Sequence, residues 1–256
     1  FGHADLIKYS TLDHLRKNYK NLKIAQWFLD PLIKNGPDFE KNKTRILDKI
    51  EYTDANFITT SPDALNFLPK EKLSLFMPNP TDPSFEILNN YENDQCSMDV
   101  FFALSHGVHR GILKPGKYDE RADFVNRLVE VTPNVKFDLY GINNVQPIWA
   151  DSFLKSISNA KMGVNLSRGN PIKYYSSDRI TQLIGNGLLT FIHKDTLYNN
   201  FFTNKEVIFY SNLIDLSEKI QRFARDDKAR KKIAKNGKIK YMKYFNSTVV
   251  ADYIIN

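Results

Sequence analysis

The sequence predicts an α/β protein built on mainly parallel, doubly wound sheets, in two units of which the first looks incomplete. Three features carry that expectation. Short apolar runs alternate with amphipathic stretches of helical period along the 256 residues, the pattern of successive βαβ units. One such unit, 162–192 (MGVNLSRGNPIKYYSSDRITQLIGNGLLTFI), is complete from strand to strand. A proline-rich break at 77–83 (MPNPTDP) separates a shorter N-terminal stretch from the longer remainder of the chain.

In order along the chain, 11–19 has helical spacing and 23–29 (KIAQWFL) reads as a strand ending at Asp30-Pro31. Residues 39–50 are helical through Ile46, Leu47 and Ile50. A short strand at 56–60 (NFITT) leads into Ser61-Pro62-Asp63, a helix-start signal. Another apolar run occupies 73–77. Pro78, Pro80 and Pro83 continue neither helix nor central strand, so the boundary falls there, giving units 1–84 and 85–256. Polar 86–97 reads as an irregular connector.

The second unit opens with a buried strand at 98–104 (MDVFFAL) and a polar, basic loop. A helix at 118–131, with Phe124, Leu128 and Val131 as its stripe, precedes a strand at 135–140 (VKFDLY) and a short helix at 152–157. Within the complete unit, Val164 and Leu166 mark a short strand. Ser176, Ser177 and Asp178 offer helix caps, Ile180, Leu183 and Ile184 form one stripe, and Gly185-Asn186-Gly187 stops the helix. The run 188–192 is apolar throughout, as in a strand buried on both faces. A strand at 207–210, a helix at 214–223 and a basic helix at 229–244 interrupted near Gly237 complete the unit.

Composition excludes several classes. No run of 18 apolar residues suggests a membrane-spanning helix, and the start carries no secretory signal pattern. The single cysteine, Cys96, rules out an internal disulfide framework and fits a reducing compartment, hence a cytoplasmic location. Because the chain starts at Phe1, and Phe1-Gly2-His3 reads like the end of a strand, further sequence upstream is expected. The net charge of +7 is local: 222–243 holds ten Lys and Arg against Asp226 and Asp227. That segment reads first as a solvated helix face and second as a peripheral contact with an anionic membrane. Nucleic acid is not expected as a partner, since no nucleic-acid module accompanies the charge.

In a parallel sheet the polar loops at 105–114, 141–144 and 168–179 emerge on one edge, where open α/β sheets bind ligands. Singly, each also reads as an ordinary surface loop. Together they suit a diphosphate. Ser105 and Gly107 supply small residues beside the cations Arg110 and Lys114. Gly141, Asn143 and Asn144 suit contacts to a base. Arg168, Lys173, Ser177 and Arg179 surround a helix start, which favours anions. The absence of G-x-G-x-x-G and P-loop fingerprints counts against dehydrogenases and NTPases. His3 and Asp30, at strand ends of the first unit, are candidates for catalytic or acceptor-side work, with loop residue and turn cap as their plainer readings. His106 and His109 are equally open, and Tyr174 and Tyr175 suit packing on a sugar or in the core. Cys and His are too scattered for a zinc site.

The linker FMPNPTDPSF (76–85), the strand MDVFFALSHG (98–107), KFDLYG (136–141) and above all 162–192 form an ordered set. That set resembles the GT-B glycosyltransferases, group-one family, CgeB-like branch; the tail from EVIFY (206–210) through LSEKIQRFARDDKARKKIAKNG to a terminal helix resembles it too. The resemblance implies two Rossmann-like domains facing a cleft. The second would hold a UDP- or GDP-sugar and the first a glycan or lipid acceptor, as in bacterial cell-surface polysaccharide synthesis. It further implies retaining, metal-independent transfer with no cofactor, the leaving diphosphate being stabilised by cations and a helix start. Many relatives hold the donor ribose with a Glu on the helix after the polar loop; here Thr181 or Gln182 stands in that place. That departure keeps open a non-catalytic sugar-nucleotide-binding or scaffold role. The first unit is also roughly half the usual length.

Overall fold

The computed structural model describes residues 1–2, 6–34, 36, 38–105, 108–109, 112–113 and 119–256. The apolar runs pair into two parallel sheets. In the first half, α1 (Tyr9–Asn18) precedes β1 (Ala25–Phe28), α2 (Phe39–Ile50), β2 (Ala55–Ile58) and β3 (Ser74–Phe76). The strands pair in the order β1-β2-β3 with Ala25 opposite Ala55 and Phe57 opposite Leu75. α2 turns Asn42, Ile46 and Ile50, spaced four apart, inward. Ile46 meets Phe28, Leu32, Ile58 and Leu65 on one face of the sheet. The backbone of Phe1 bonds to Ala25 O and Trp27 N at 2.8 Å, in line with its reading as strand-like. Ser61-Pro62-Asp63 starts only a 3₁₀ turn, Pro62–Ala64.

In the second half, β4 (Met98–Ala103) is followed by an antiparallel hairpin, β5 (Val108–His109) and β6 (Ile112–Leu113). Then come α3 (Glu120–Glu130), β7 (Phe137–Tyr140), α4 (Ala150–Ile157), β8 (Ala160–Asn165), α5 (Arg179–Gly185), β9 (Leu189–His193) and β10 (Ile208–Tyr210). The sheet runs β10-β9-β8-β4-β7, all parallel. β8 starts at Ala160, well before Val164, because it is paired on both sides and its neighbours carry the ladder back. Val100, Phe102, Met162, Val164, Leu189 and Phe191 form the core beneath it.

The chain closes with α6 (Leu213–Arg225), α7 (Asp227–Tyr244) and α8 (Ser247–Ile255). α7 runs through Gly237 without a break. The glycine is there for close packing: a Cβ at that position would stand 2.3 Å from the Glu206 carbonyl oxygen. The basic run is also not uniformly solvated. Arg230 is buried, bonded through Nε and Nη2 to Asp227 (2.8 and 2.7 Å), and Lys238 donates to Leu88 O at 2.5 Å. Arg222, Arg225, Lys228, Lys232, Lys235 and Lys243 face outward.

α8 returns to the first half. Val250 packs with Phe57 and Met77, and the Tyr253 ring meets Phe57 edge-on at 5.8 Å. The crossing is tied to the proline-rich segment: Thr81 N bonds to Phe245 O (2.9 Å) and Ser247 N to Thr81 O (2.8 Å).

Candidate functional site

In the five-stranded sheet the order of strand addition reverses between β4 and β8, and a crevice opens at their carboxyl ends, where doubly wound sheets bind ligands. Arg179, the first residue of α5, is anchored in that crevice. Its Nη2 donates to Ala103 O at the end of β4 (2.9 Å). Its Nη1 donates to Leu166 O just beyond β8 (2.8 Å) and to Ser177 Oγ (3.0 Å). The guanidinium lies over the Phe102 ring, 4.8 Å from its centroid. Three of the five guanidinium N–H groups are thus committed to the scaffold. The side chain still lines a cavity of about 620 Å³ together with Ser105, Arg121, Trp149, Ser177 and Gln182.

Arg121 enters this cavity from the first turn of α3. A two-point pair with Asp119 holds it, Nε to Oδ1 at 2.8 Å and Nη2 to Oδ2 at 2.6 Å. Asp119 also caps α3 through Arg121 N. Burial, and then repulsion from Arg121, lowers the Arg179 pKa to about 10, so the cation persists at neutral pH. Desolvation raises the neighbouring Asp178 carboxyl above its ordinary value, against the pull of Arg179. Two partly desolvated guanidinium groups in one concavity make a site for an anion with several oxygens.

Of the residues expected here, Ser105, Ser177 and Arg179 meet in this cavity. Arg168 lies apart, in an adjoining cavity of about 310 Å³, with Nη1 on Asp38 Oδ2 of the first half at 2.8 Å. Asp30 lines the same smaller cavity and pairs with Arg45 at 3.3 Å. Two of the expected residues do not line these cavities. Gly141 lines neither cavity; its φ of +74° and its approach to Leu104 make it a packing residue at the β4–β7 edge. Thr181 turns inward, only 6% exposed, with its hydroxyl on Asp178 O at 2.9 Å, and Gln182 reaches the cavity in its stead. Asn143, expected near a base, exchanges amide bonds with Asn126 (2.7 and 3.0 Å). Asp178 caps α5 without a side-chain bond. Tyr174 packs at a tilt against Phe76 and Phe201, and Lys173 pairs with Asp63. His3, His106, Gly107, Arg110 and Lys114 lie outside the described residues.

Sequence reasoning missed Arg121. Its signal was the triplet Asp119-Glu120-Arg121 at a helix start, a capping carboxylate two residues before a cation. Trp149 and Glu86, also in the lining, carried no signal of their own. Among the described residues no group of three or more His, Cys, Asp or Glu is arranged to hold a metal ion.

The two parallel sheets, with a crevice at the switch point of the larger one, are arranged as in the GT-B fold. Residues 121–256 match the glycosyl transferase-like family, and the chain belongs to it. Solved structures agree on the fold. Anabaena HepE in complex with UDP and glucose superposes with a TM-score of 0.66 at 11% identity, over 97% of this chain and 75% of that one. TarM, also solved as a mutant of the S. aureus protein with UDP, gives 0.64 at 14%, over 93% and 51%. Sucrose-phosphate synthase from Thermosynechococcus elongatus gives 0.63 at 13%, over 96% and 70%. The chain therefore spans about half the length of TarM. No curated relative matches the sequence.

Proposed function

We propose that the chain is the donor-binding part of a glycosyltransferase that moves a sugar from a UDP- or GDP-sugar to a glycan or lipid acceptor. The observation that carries this reading is Arg179, anchored on the ends of β4 and β8 beside Arg121. As the bond from the sugar to the diphosphate breaks, negative charge gathers on the leaving phosphate. Fixed cations that need no reorganisation stabilise that charge. Ser105 and Ser177 lie beside them, and in this reading Gly107, Arg110 and Lys114 complete the clamp. The acceptor hydroxyl oxygen bonds to the anomeric carbon as the diphosphate leaves, and its proton passes to Asp30 or His3 on the acceptor side. Retention of configuration, independence of metal and cofactor, the CgeB-like branch, the division at 84/85 and a bacterial cell-surface role belong to the same proposal. HepE and TarM, whose solved complexes hold UDP, support a nucleotide donor.

Calorimetric titration with UDP-, GDP- and TDP-sugars tests it. Binding of one of them, with its consumption in the presence of an acceptor and of a chelator, is the expected outcome. Binding without turnover over a broad acceptor set would favour the non-catalytic reading, which Gln182 motivates by standing at the cavity where relatives often place a carboxylate. Gln182→Glu accordingly should tighten donor binding about tenfold, since a carboxylate accepts from hydroxyls roughly twice as strongly as a neutral group. Unchanged or weaker binding would remove this position from ribose recognition.

The outward cations of α6 and α7 suit the inner face of an anionic membrane, at about 1 kcal/mol each near the headgroups. No helix among the described residues is long and apolar enough to cross a membrane. Co-sedimentation with phosphatidylserine vesicles should be strong at low salt and lost at high salt. Binding that ignores salt, or Lys228→Gln/Lys232→Gln/Lys235→Gln, would sink the idea.

A further inference from the structure

The smaller cavity has its own character. One wall is Asp30, Asp38, Lys41 and Arg45 from the first half; the other is Arg121 and Arg168 from the second. Four cations thus face two carboxylates, with Asp119 behind Arg121. Arg168, Arg45 and Arg121 are paired with Asp38, Asp30 and Asp119, which leaves one cation in excess. Lys41 is exposed and forms no ion pair among the described residues. Arg45 and Asp30 meet at 3.3 Å with side chains 22% and 36% exposed, within reach of a ligand in the cavity. Arg168 Nε is buried and bonds to no acceptor among the described residues, a desolvated donor of the kind that calls for a partner. Arg121 and Ser177 line both cavities, so the smaller one opens beside the donor pocket. Its volume of about 310 Å³ fits a single sugar-sized group.

We propose that this cavity receives the acceptor and that the acceptor carries an anionic group, phosphate or carboxylate, held by Lys41, Arg45 and Arg168. The proposal rests on the donor reading of the larger cavity. The arginine forks offer paired N–H groups that match either anion. Asp30, beside Arg45 in the same lining, is then left to accept from an uncharged hydroxyl of the same molecule. A neutral acceptor would offer no anionic partner to Lys41 or to the buried Arg168 Nε.

Calorimetry on the full chain, with and without saturating UDP, tests both parts. Glucose 6-phosphate and glucuronate serve as charged probes, and glucose is their neutral counterpart. At least one charged probe should bind ten times more tightly than glucose with UDP present. Lys41→Gln/Arg45→Gln should abolish that advantage while UDP affinity stays within twofold. The stronger of the two charged probes names the group. Equal affinity for glucose and both charged probes would overturn the proposal, as would charge-dependent binding that survives the double substitution. If UDP does not bind while the charged probe still does, the donor reading fails and the acceptor assignment falls with it.

Discussion

Arg179→Met should weaken UDP binding at least about a hundredfold and leave the unliganded protein within a few degrees of its original melting temperature. Two charge-assisted bonds to a diphosphate contribute about 3 kcal/mol together, and each 1.4 kcal/mol is about a factor of ten. The stability effect is small because two terms oppose. The substitution deprives Ala103 O and Leu166 O of a donor, and it also removes a partly desolvated cation that forms no ion pair among the described residues. The pH dependence has a defined sign. The Arg179 pKa is lowered from its ordinary value to about 10 in the folded protein, chiefly by burial. The cost of holding the cation is therefore present below pH 10 and relieved above it, so this group adds stability as pH rises through 10. Ligand binding runs the other way: UDP affinity should be level from pH 7 to 9 and decline above 10, where the cation is lost. Calorimetry across that range, with thermal melts of both proteins, reads these effects. A UDP affinity indifferent to the substitution would leave the larger cavity without its anion site.

Gly141→Ala should destabilise the fold by about 2–5 kcal/mol. A Cβ at this position would stand 2.0 Å from Leu104 O, and the residue sits at φ +74°. The left-handed backbone costs a non-glycine residue about 1–2 kcal/mol, and displacing packed backbone adds about 1–3 more. At roughly 2–4 °C per kcal/mol for a chain of this size the melting temperature should fall by about 10 °C. Leu104 is followed by Ser105 in the larger cavity, so donor affinity should drop as well. A melting temperature shifted by less than about 2 °C would show that the β4–β7 edge yields without cost.

The central strands β4 and β9 were legible because they are buried on both faces and read as largely apolar runs. α2 was legible to the residue, 39–50, because its stripe through Ile46 and Ile50 carries the 3.6 period over three turns. α5 shows the limit. Over seven residues the apolar positions Ile180, Leu183 and Ile184 fix a buried side, but each step turns the helix by about 100°. Whether Thr181 or Gln182 faces the ligand then depends on a phase that so few residues leave loose. Arg121 was hidden for another reason. A cation in a first helical turn usually faces water, and only the return of Asp119 onto it, with β8 and α5 arriving from far along the chain, turns it into a cavity wall. Gly237 read as an interruption of the helix because local propensity cannot register the Glu206 carbonyl that α7 presses against.

The return of α8 onto the first half bears on how the protein is made. One face of the three-stranded sheet is covered by α2, close in sequence. The other, with Phe57 and Met77, is covered by Val250. Roughly 170 residues must be synthesised after β3 before that cover exists, which at about 5–20 residues per second is on the order of 10–30 s on the ribosome. Throughout that interval Phe57 and Met77 lack the cover that Val250 gives them in the finished fold, and they mark a segment that a ribosome-associated chaperone could hold.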